Sequence, residues 1–150
     1  IENNNIKYLI NCKEDIVLKG IENDLIQVLV NILTNSIEAL ESLQNINKFI
    51  FVDITKDSSF ISIKIRDNAN GIDEKYISKI FQPYFTTKYN SQGTGMGLFI
   101  SHEIITKQFE GKLTLVNKEF VYEDNYYKGV ETIIKLPLFH NDIDKERPVS

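Results

Sequence analysis

The sequence is poor in the residues that build disulfide and zinc-thiolate sites, since its 150 residues include one cysteine, Cys12. A single cysteine can form neither an intrachain disulfide nor a cysteine-rich zinc site, which fits a reducing compartment. The only two histidines, His102 and His140, lie far apart along the chain and form no ligand cluster. Apolar stretches such as 25–33 are interrupted well short of the roughly 18 residues that cross a bilayer. We therefore expect a cytoplasmic location and no membrane segment in this chain.

Charge of neither sign dominates, because 17 basic and 21 acidic residues give a formal net charge of −4. Such a balance provides no general attraction for nucleic acid or acidic lipid, so we expect no nucleic-acid partner. Hydrophobic residues at 42% and charged residues at 25% fit a globular domain and exclude a disordered chain. The only methionine is Met96, so we expect the chain to be a piece of a longer protein.

Hydrophobic spacing predicts three helices. Apolar residues three and four apart predict a long helix from Asp24 to about Leu43, with Asn23 as its N-cap. A short helix at 73–80 and a further helix at 98–109 are predicted in the same way.

Alternating apolar residues predict the strands of a mixed sheet. The predicted extended segments are 6–12, 16–18, 48–55, 60–66, 112–117 and 130–138, with 118–129 connecting the last two. This order of elements favours an α+β fold, a two-layer sandwich in which three helices cover one face of a sheet of about five strands. We expect one domain over 1–139, followed by a flexible polar tail at 140–150.

Amide side chains recur on one stripe of the long helix, where Gln27, Asn31, Asn35 and Ala39 are four residues apart. Asparagine is a poor helix-interior residue because its side chain competes for backbone groups. One interpretation is a pair of core amides that bond a following loop. The other is a ligand site, in which the amide oxygens coordinate a cation such as Mg²⁺ and the NH₂ groups donate to phosphate.

Three glycines, Gly93, Gly95 and Gly97, lie in the run GTGMGL directly before a predicted helix. Glycine permits positive φ and close backbone approach, and the free N–H groups of a helix start favour an anion. The run does not follow a strand, so it fits neither a dinucleotide fingerprint nor a P-loop. A flexible hinge and a phosphate-binding loop both remain open.

Asp67 follows a strand and shares the parity of its inward isoleucines, so its carboxylate is expected on the apolar side. A buried unpaired carboxylate is costly, so this group must meet a donor, such as the exocyclic amine of a ligand. The alternative is an Asx-type turn after the strand. The next segment, FQPYFTTK at 81–88, is either a loop anchored by Phe81 and Phe85 or a lid in which Lys88 contacts phosphate.

In this order and at this spacing, the segments resemble the ATP-binding catalytic domain of sensor histidine kinases. The superfamily of that domain also includes gyrase, chaperone-type ATPases and mismatch-repair ATPases. QVLVNILTNSIEAL is similar to the family's asparagine box, DNANGI to the first glycine box, FQPYFTTK to the phenylalanine box and GTGMGLFIS to the second glycine box. GVETIIKLPL is similar to the closing strand. The resemblance covers about 6–138 and implies the Bergerat-type ATP-binding fold.

ATP and Mg²⁺ are the cofactors that the resemblance implies. It implies that Asn35 ligates Mg²⁺ with assistance from Asn31, that Lys88 joins them in catalysis, and that Asp67 accepts a hydrogen bond from the adenine amine. The residues implied to bind the nucleotide are Asn35, Ala39, Asp67, Gly71, Ile72, Thr87, Lys88, Gly93, Thr94, Gly95, Met96, Gly97 and Leu98.

Three positions depart from the family pattern. Ala69 stands where glycine is usual, which is expected to hinder base approach or lid hinging. Glu38 stands where many members place a basic residue near the phosphates. Glu110 replaces the first of two glycines before a strand, a change expected to be structural only.

The expected reaction is phosphoryl transfer. Hydrolytic relatives place a glutamate one turn before the Mg²⁺ asparagine, whereas Asn31 is an amide that cannot act as a general base. The resemblance implies transfer of the γ-phosphoryl group to a histidine of an upstream dimerisation domain, and from there to a response regulator.

We expect a homodimeric parent, and a chain that is monomeric when isolated and does not phosphorylate itself. The alternatives are an anti-sigma-type serine kinase, a nucleotide-sensing module without transfer activity, and a structural domain without a ligand.

Overall fold

Five strands form a single mixed sheet in the computed structural model, which describes residues 5–13, 22–44, 46–83, 85 and 96–138. The strands are β1 Ile6–Cys12, β2 Lys48–Lys56, β3 Phe60–Asp67, β4 Lys112–Tyr122 and β5 Asn125–Pro137. Their order across the sheet is β1-β2-β3-β5-β4; β1 is parallel to β2, and the remaining pairs are antiparallel. The extended segment expected at 16–18 and the expected tail at 140–150 lie outside the described residues.

Three α-helices accompany the sheet within the described ranges: α1 Glu22–Glu41, α2 Glu74–Ile77 and α3 Gly97–Glu103, the last continued by a π-helical turn at Ile104–Gln108. α1 packs against β3 and α3, and the π-helical turn packs against β4. This arrangement confirms the predicted α+β sandwich. Among the described helices, none combines the length and the apolar character needed to cross a membrane.

The hydrophobic core lies between α1 and the sheet. Ile61, Ile63 and Ile65 alternate toward the helices, as the sequence pattern predicts. They belong to one buried cluster with Val28 and Ile32 of α1. Each fully buried aliphatic side chain stabilises the fold by about 1.5–3 kcal/mol. This packing holds α1 alongside the end of β3, where Asp67 lies.

The ends of α1 differ from the prediction. The helix begins at Glu22, so Asn23 lies in its first turn and the predicted N-cap is wrong. First-turn N–H groups have no intrahelical partner, which makes asparagine tolerable there. At the other end, Ser42 Oγ donates to Ala39 O at 2.7 Å, and Leu43 N donates to Leu40 O at 3.1 Å. These bonds close the helix at Glu41 rather than Leu43.

The two later helices are shorter than predicted. In α2 only Glu74–Ile77 is helical, and Asp73 caps it by accepting a hydrogen bond from Lys75 N at 3.1 Å. The helix predicted at 98–109 is a seven-residue α3 followed by the π-helical turn. The wider turn ends where Gly111 N donates to Ile105 O at 2.8 Å.

The last hairpin is longer than predicted, and the expected connection over 118–129 is wrong. β4 and β5 are joined by a two-residue turn, Glu123-Asp124, in which both φ angles are positive, 50° and 68°. Turns of this kind usually carry asparagine or glycine. The sequence therefore lacks the normal signal for the turn.

An aromatic cluster supports the hairpin extension on the sheet face opposite the helices. Phe120, Tyr122 and Tyr127 of the hairpin meet Phe49 and Phe51 of β2, with ring centroids 5.0–5.6 Å apart between the two groups. Phe49 and Phe51 are both buried as a result. The extension is thus packed against the sheet and does not form a free loop.

Candidate functional site

Asp67 ends β3 with its carboxylate on the helix side, where the residue is 3% exposed. Its Oδ1 accepts hydrogen bonds from Ala69 N at 3.0 Å and Val130 N at 3.2 Å. Its Oδ2 accepts one from Ser36 Oγ at 3.0 Å. A carboxylate offers about four acceptor positions, so Oδ2 has room for one further donor.

Both sequence interpretations of Asp67 therefore describe part of the site. The prediction that its side chain faces the apolar side is confirmed. The bond from Ala69 N is the Asx-type contact of the alternative interpretation. The expectation that this carboxylate must meet a donor is met by three protein groups, Ala69 N, Val130 N and Ser36 Oγ.

Burial raises the pKa of the Asp67 carboxyl group above its ordinary value of 3.8. The hydrogen bonds from Ala69 N, Val130 N and Ser36 Oγ oppose this effect, because they favour the ionised form. Among the described residues, no charged side chain contributes to the shift.

Three residues around Asp67 were not identified from the sequence: Ser36, Gly129 and Val130. Ser36 follows Asn35 on α1 and is 7% exposed. A Cβ at Gly129 would collide with the backbone carbonyl oxygen of Asp67, so only glycine fits there. Ser36 could have been found from the sequence, because it is a small polar residue on the buried side of α1. The register of β5 against β3, which places Gly129 and Val130, is not readable from a single sequence.

The two asparagines of the α1 stripe have different environments. Asn31 is half-buried, and its Nδ2 donates to Gly97 O at 3.3 Å and to Ser101 Oγ at 3.1 Å. Both amide hydrogens are thus engaged, and Oδ1 is left as an acceptor. Asn35 is exposed and has no hydrogen bond to its side chain from any described residue. Asn31 therefore bridges α1 to α3, whereas Asn35 is not a core amide.

The remaining residues of the α1 stripe, and Glu38 beside it, differ in solvent exposure. Gln27 and Ala39 are exposed, and Glu38 is half-buried. Ala39 thus lies on the same open side of α1 as Asn35, two turns after Asn31.

The loop between β3 and α2 turns sharply after Asp67. Its positive φ angles belong to Asn70 at 73° and Gly71 at 82°, so Ala69 does not need the backbone freedom of glycine. Asn70 N donates to Lys128 O at 2.9 Å, which ties the loop to β5. Ile72, implied by the resemblance to line the adenine slot, is half-buried.

At the start of α3, Gly97 faces Asn31: a Cβ at this glycine would lie 3.8 Å from Asn31 Cγ. Leu98 packs against the core cluster, and Met96 precedes the helix half-buried. The predicted phosphate contacts Thr87, Lys88, Gly93, Thr94 and Gly95 lie outside the described residues.

The predicted aromatic anchors of the 81–88 segment make contacts. Phe81 packs against the core cluster and stacks on His102 with ring centroids 4.9 Å apart. Phe85 meets Tyr76 at 5.6 Å. The base of this segment is therefore held to α2 and α3.

The described residues offer amide oxygens on α1 as possible cation ligands. Within that part of the chain, no group of three or more histidine, cysteine, aspartate or glutamate side chains could hold an ion. Mg²⁺ is usually bound through one or two protein oxygens, several waters and the phosphates of a substrate. The Oδ1 atoms of Asn31 and Asn35 are of this kind.

Comparison with known proteins identifies the family. The sequence profile of the histidine kinase-, DNA gyrase B-, and HSP90-like ATPases matches residues 20–140. The two-component sensor PprA of Pseudomonas aeruginosa is 30% identical over 125 residues, which cover 81% of this chain and 13% of PprA. Sporulation kinase A of Bacillus subtilis is 32% identical over 93 residues, covering 62% of this chain and 14% of that protein. This chain therefore corresponds to a small part of either relative.

A solved structure supports the same family assignment. The catalytic domain of the histidine kinase ThkA, in a nucleotide-free form, superimposes with a TM-score of 0.72 at 29% identity. The match covers 91% of this chain and 82% of the ThkA chain. From sequence profile and structure together, the chain belongs to the family of histidine kinase-, DNA gyrase B-, and HSP90-like ATPases.

Proposed function

We propose that this chain is the Mg-ATP-binding catalytic domain of a two-component sensor histidine kinase. Its proposed activity is transfer of the γ-phosphoryl group of ATP to a histidine on a dimerisation domain of the same protein. The observation that carries the proposal is the buried Asp67 carboxylate, with one acceptor position left on Oδ2. The similarity to PprA, sporulation kinase A and ThkA supports the choice of a histidine acceptor.

Base recognition falls to Asp67 in this proposal. Its Oδ2 accepts a hydrogen bond from the exocyclic amine of adenine, while Ala69 N and Val130 N hold Oδ1 in place. Guanine carries an oxygen at that position, so the same carboxylate would repel it. Apolar contact with the base comes from Ala39, Ile72 and Leu98, and Gly71 allows the backbone to approach it.

Metal and phosphates are held by the two asparagines of the same α1 stripe. Asn35, assisted by Asn31, would ligate Mg²⁺ through Oδ1, and the bound ion would neutralise charge on the phosphates. Asn31 is oriented for this role because its two N–H groups are engaged by Gly97 O and Ser101 Oγ. The phosphate contacts proposed are Thr87, Lys88, Gly93, Thr94, Gly95, Met96 and Gly97.

The proposed reaction is a transfer because Asn31 stands where hydrolytic relatives place a glutamate, and an amide cannot act as a general base for water. The bond between the γ-phosphorus and the β–γ bridging oxygen breaks, and ADP leaves with that oxygen. A bond forms between the γ-phosphorus and a ring nitrogen of the acceptor histidine, whose lone pair is the nucleophile. The chain's own contribution is positioning and charge neutralisation.

Partners and location follow from this proposal. The phosphorylated histidine would pass its phosphoryl group to a response regulator, and the parent would act as a homodimer in the cytoplasm, where ATP is available.

The test is a transfer assay with γ-³²P-labelled Mg-ATP. We expect no label on the isolated chain and acid-labile label on the longer protein that includes the dimerisation domain. Asp67→Asn in the longer protein should reduce the label at least tenfold, about 1.4 kcal/mol. Label on the isolated chain contradicts the proposal. Acid-stable label on a partner serine would favour the anti-sigma-type kinase, and nucleotide binding without label would favour the sensing module.

A further inference from the structure

We infer that Asn117, on β4, is a positioning residue that fixes the base-binding loop over 67–73 and so sets the affinity for the adenine base. This inference rests on the proposed function. It adds a residue from a strand that none of the sequence motifs includes.

One carboxamide satisfies both backbone groups of Ile72. Asn117 Oδ1 accepts a hydrogen bond from Ile72 N at 2.8 Å, and Asn117 Nδ2 donates to Ile72 O at 2.7 Å. The same nitrogen donates to Glu74 Oε2 at 2.8 Å. The Asn117 side chain thus makes the two hydrogen bonds to the Ile72 backbone that a neighbouring strand would make in a sheet.

The loop depends on these hydrogen bonds because it contains no regular secondary structure. Between Asp67 and Glu74 no helix or strand forms, and the chain reverses through two residues of positive φ, Asn70 and Gly71. The bond from Asn70 N to Lys128 O attaches its first half to β5. Asn117 attaches its second half to β4.

The fit between Asn117 and the loop is close. A Cβ at Gly71 would lie 2.7 Å from Asn117 Oδ1, so the glycine and the amide are in direct contact. Gly71 is the residue proposed to let the backbone approach the base. Asn117 therefore determines how far this backbone stands from Asp67, and any change in its length or polarity moves the loop.

A merely structural role would affect all ligands of the site alike. A role in positioning the base-binding loop affects ligands with a base and spares those without one. The two are separated by comparing Mg-ATP with magnesium tripolyphosphate, which carries the phosphates alone.

The experiment measures both affinities for the wild-type chain, Asn117→Ala and a matched control. We expect Asn117→Ala to bind Mg-ATP about tenfold more weakly and tripolyphosphate within about twofold of the wild type. The control is Asn125→Ala, at the tip of the same hairpin. Its amide makes only a 3.4 Å bond to Glu123 O, and both affinities should stay unchanged.

A second variant, Asn117→Asp, keeps the test decisive if Asn117→Ala fails to fold. Asn117→Asp keeps the acceptor for Ile72 N and removes the two donated bonds, so it should also weaken ATP binding selectively.

Unchanged ATP affinity, or an equal loss for ATP and tripolyphosphate, would overturn the role of Asn117. Failure of the wild type to bind Mg-ATP would instead overturn the proposed function, and this inference with it.

Discussion

Ser36 and Asp67 are joined by a hydrogen bond of 3.0 Å between the serine Oγ and the carboxylate Oδ2, in an interior from which solvent is nearly excluded. Five residues earlier on the same helix, Asn31 donates hydrogen bonds to Gly97 O and Ser101 Oγ of α3. One helix therefore connects the proposed base-recognition end of the site to the proposed phosphate end. The exposed Asn35 lies between these two attachments.

Replacing Ser36 by alanine should weaken nucleotide binding. The variant leaves Asp67 Oδ2 without its protein donor, so the carboxylate is held less firmly in the position that would face the adenine amine. We expect the Kd for Mg-ADP to rise about tenfold, measured by calorimetry. Ser42→Ala is the matched control, because the Ser42 hydroxyl closes the same helix at an exposed position. Equal effects of the two variants would contradict this role of Ser36.

The variant Asp67→Asn should become more stable than the wild type as pH rises. The folded-state pKa of Asp67 is raised, so the stability it contributes is full below its unfolded value of 3.8 and is lost as pH rises through the folded pKa. The neutral amide removes this loss, and it can donate to Ser36 Oγ while still accepting from Ala69 N and Val130 N.

Urea denaturation from about pH 4 to about pH 7 tests this effect. The free energy of unfolding of the variant, relative to the wild type, should be larger at about pH 7 than at about pH 4, because the folded-state pKa of Asp67 is raised. A difference that stays constant or shrinks would contradict the raised folded-state pKa of Asp67.

Asn35→Ala should affect binding only when metal is present. The side chain is exposed, so its loss should leave the melting temperature almost unchanged. We expect about tenfold weaker binding of Mg-ADP and less than about twofold change for ADP in the presence of a chelator. Gln27→Ala, on the same stripe and also exposed, is the control. An equal loss with and without Mg²⁺ would argue against metal ligation by Asn35.

Glu110→Gly should stabilise the chain. Glu110 has a φ of 54°, a left-handed conformation that costs a non-glycine residue about 1–2 kcal/mol. Glycine removes this strain but gains freedom in the unfolded chain, so we expect a net gain of about 0.5–1 kcal/mol. The neighbouring position should respond oppositely: a Cβ at Gly111 would collide with Lys135 O, so Gly111→Ala destabilises. Thermal unfolding measures both, and a lower melting temperature for Glu110→Gly would contradict the strain.

The fold class could be predicted because hydrophobic periodicity is strong in this chain. The alternation of Ile61, Ile63 and Ile65 indicates both the strand and the inward direction of Asp67. The helical spacing of α1 is equally clear, although its ends are not, since caps and closing bonds depend on single side chains such as Ser42.

What the sequence could not give depends on contacts between distant segments. The Glu123-Asp124 turn contains neither glycine nor asparagine, and aromatic packing across the sheet supports the hairpin. Ser36 contacts Asp67 because of where α1 packs on the sheet, beside the end of β3. Asn117 reaches Ile72 for a similar reason, through the register of β4.

The most direct test of the account is calorimetric titration of Mg-ADP into the wild-type chain and into Asp67→Asn at about pH 7. Because the variant is expected to stay folded, a loss of affinity reports recognition rather than stability. We predict one-to-one binding by the wild type and at least tenfold weaker binding by the variant, about 1.4 kcal/mol or more. Equal affinity of the two proteins would contradict the assignment of Asp67 as the group that recognises the base.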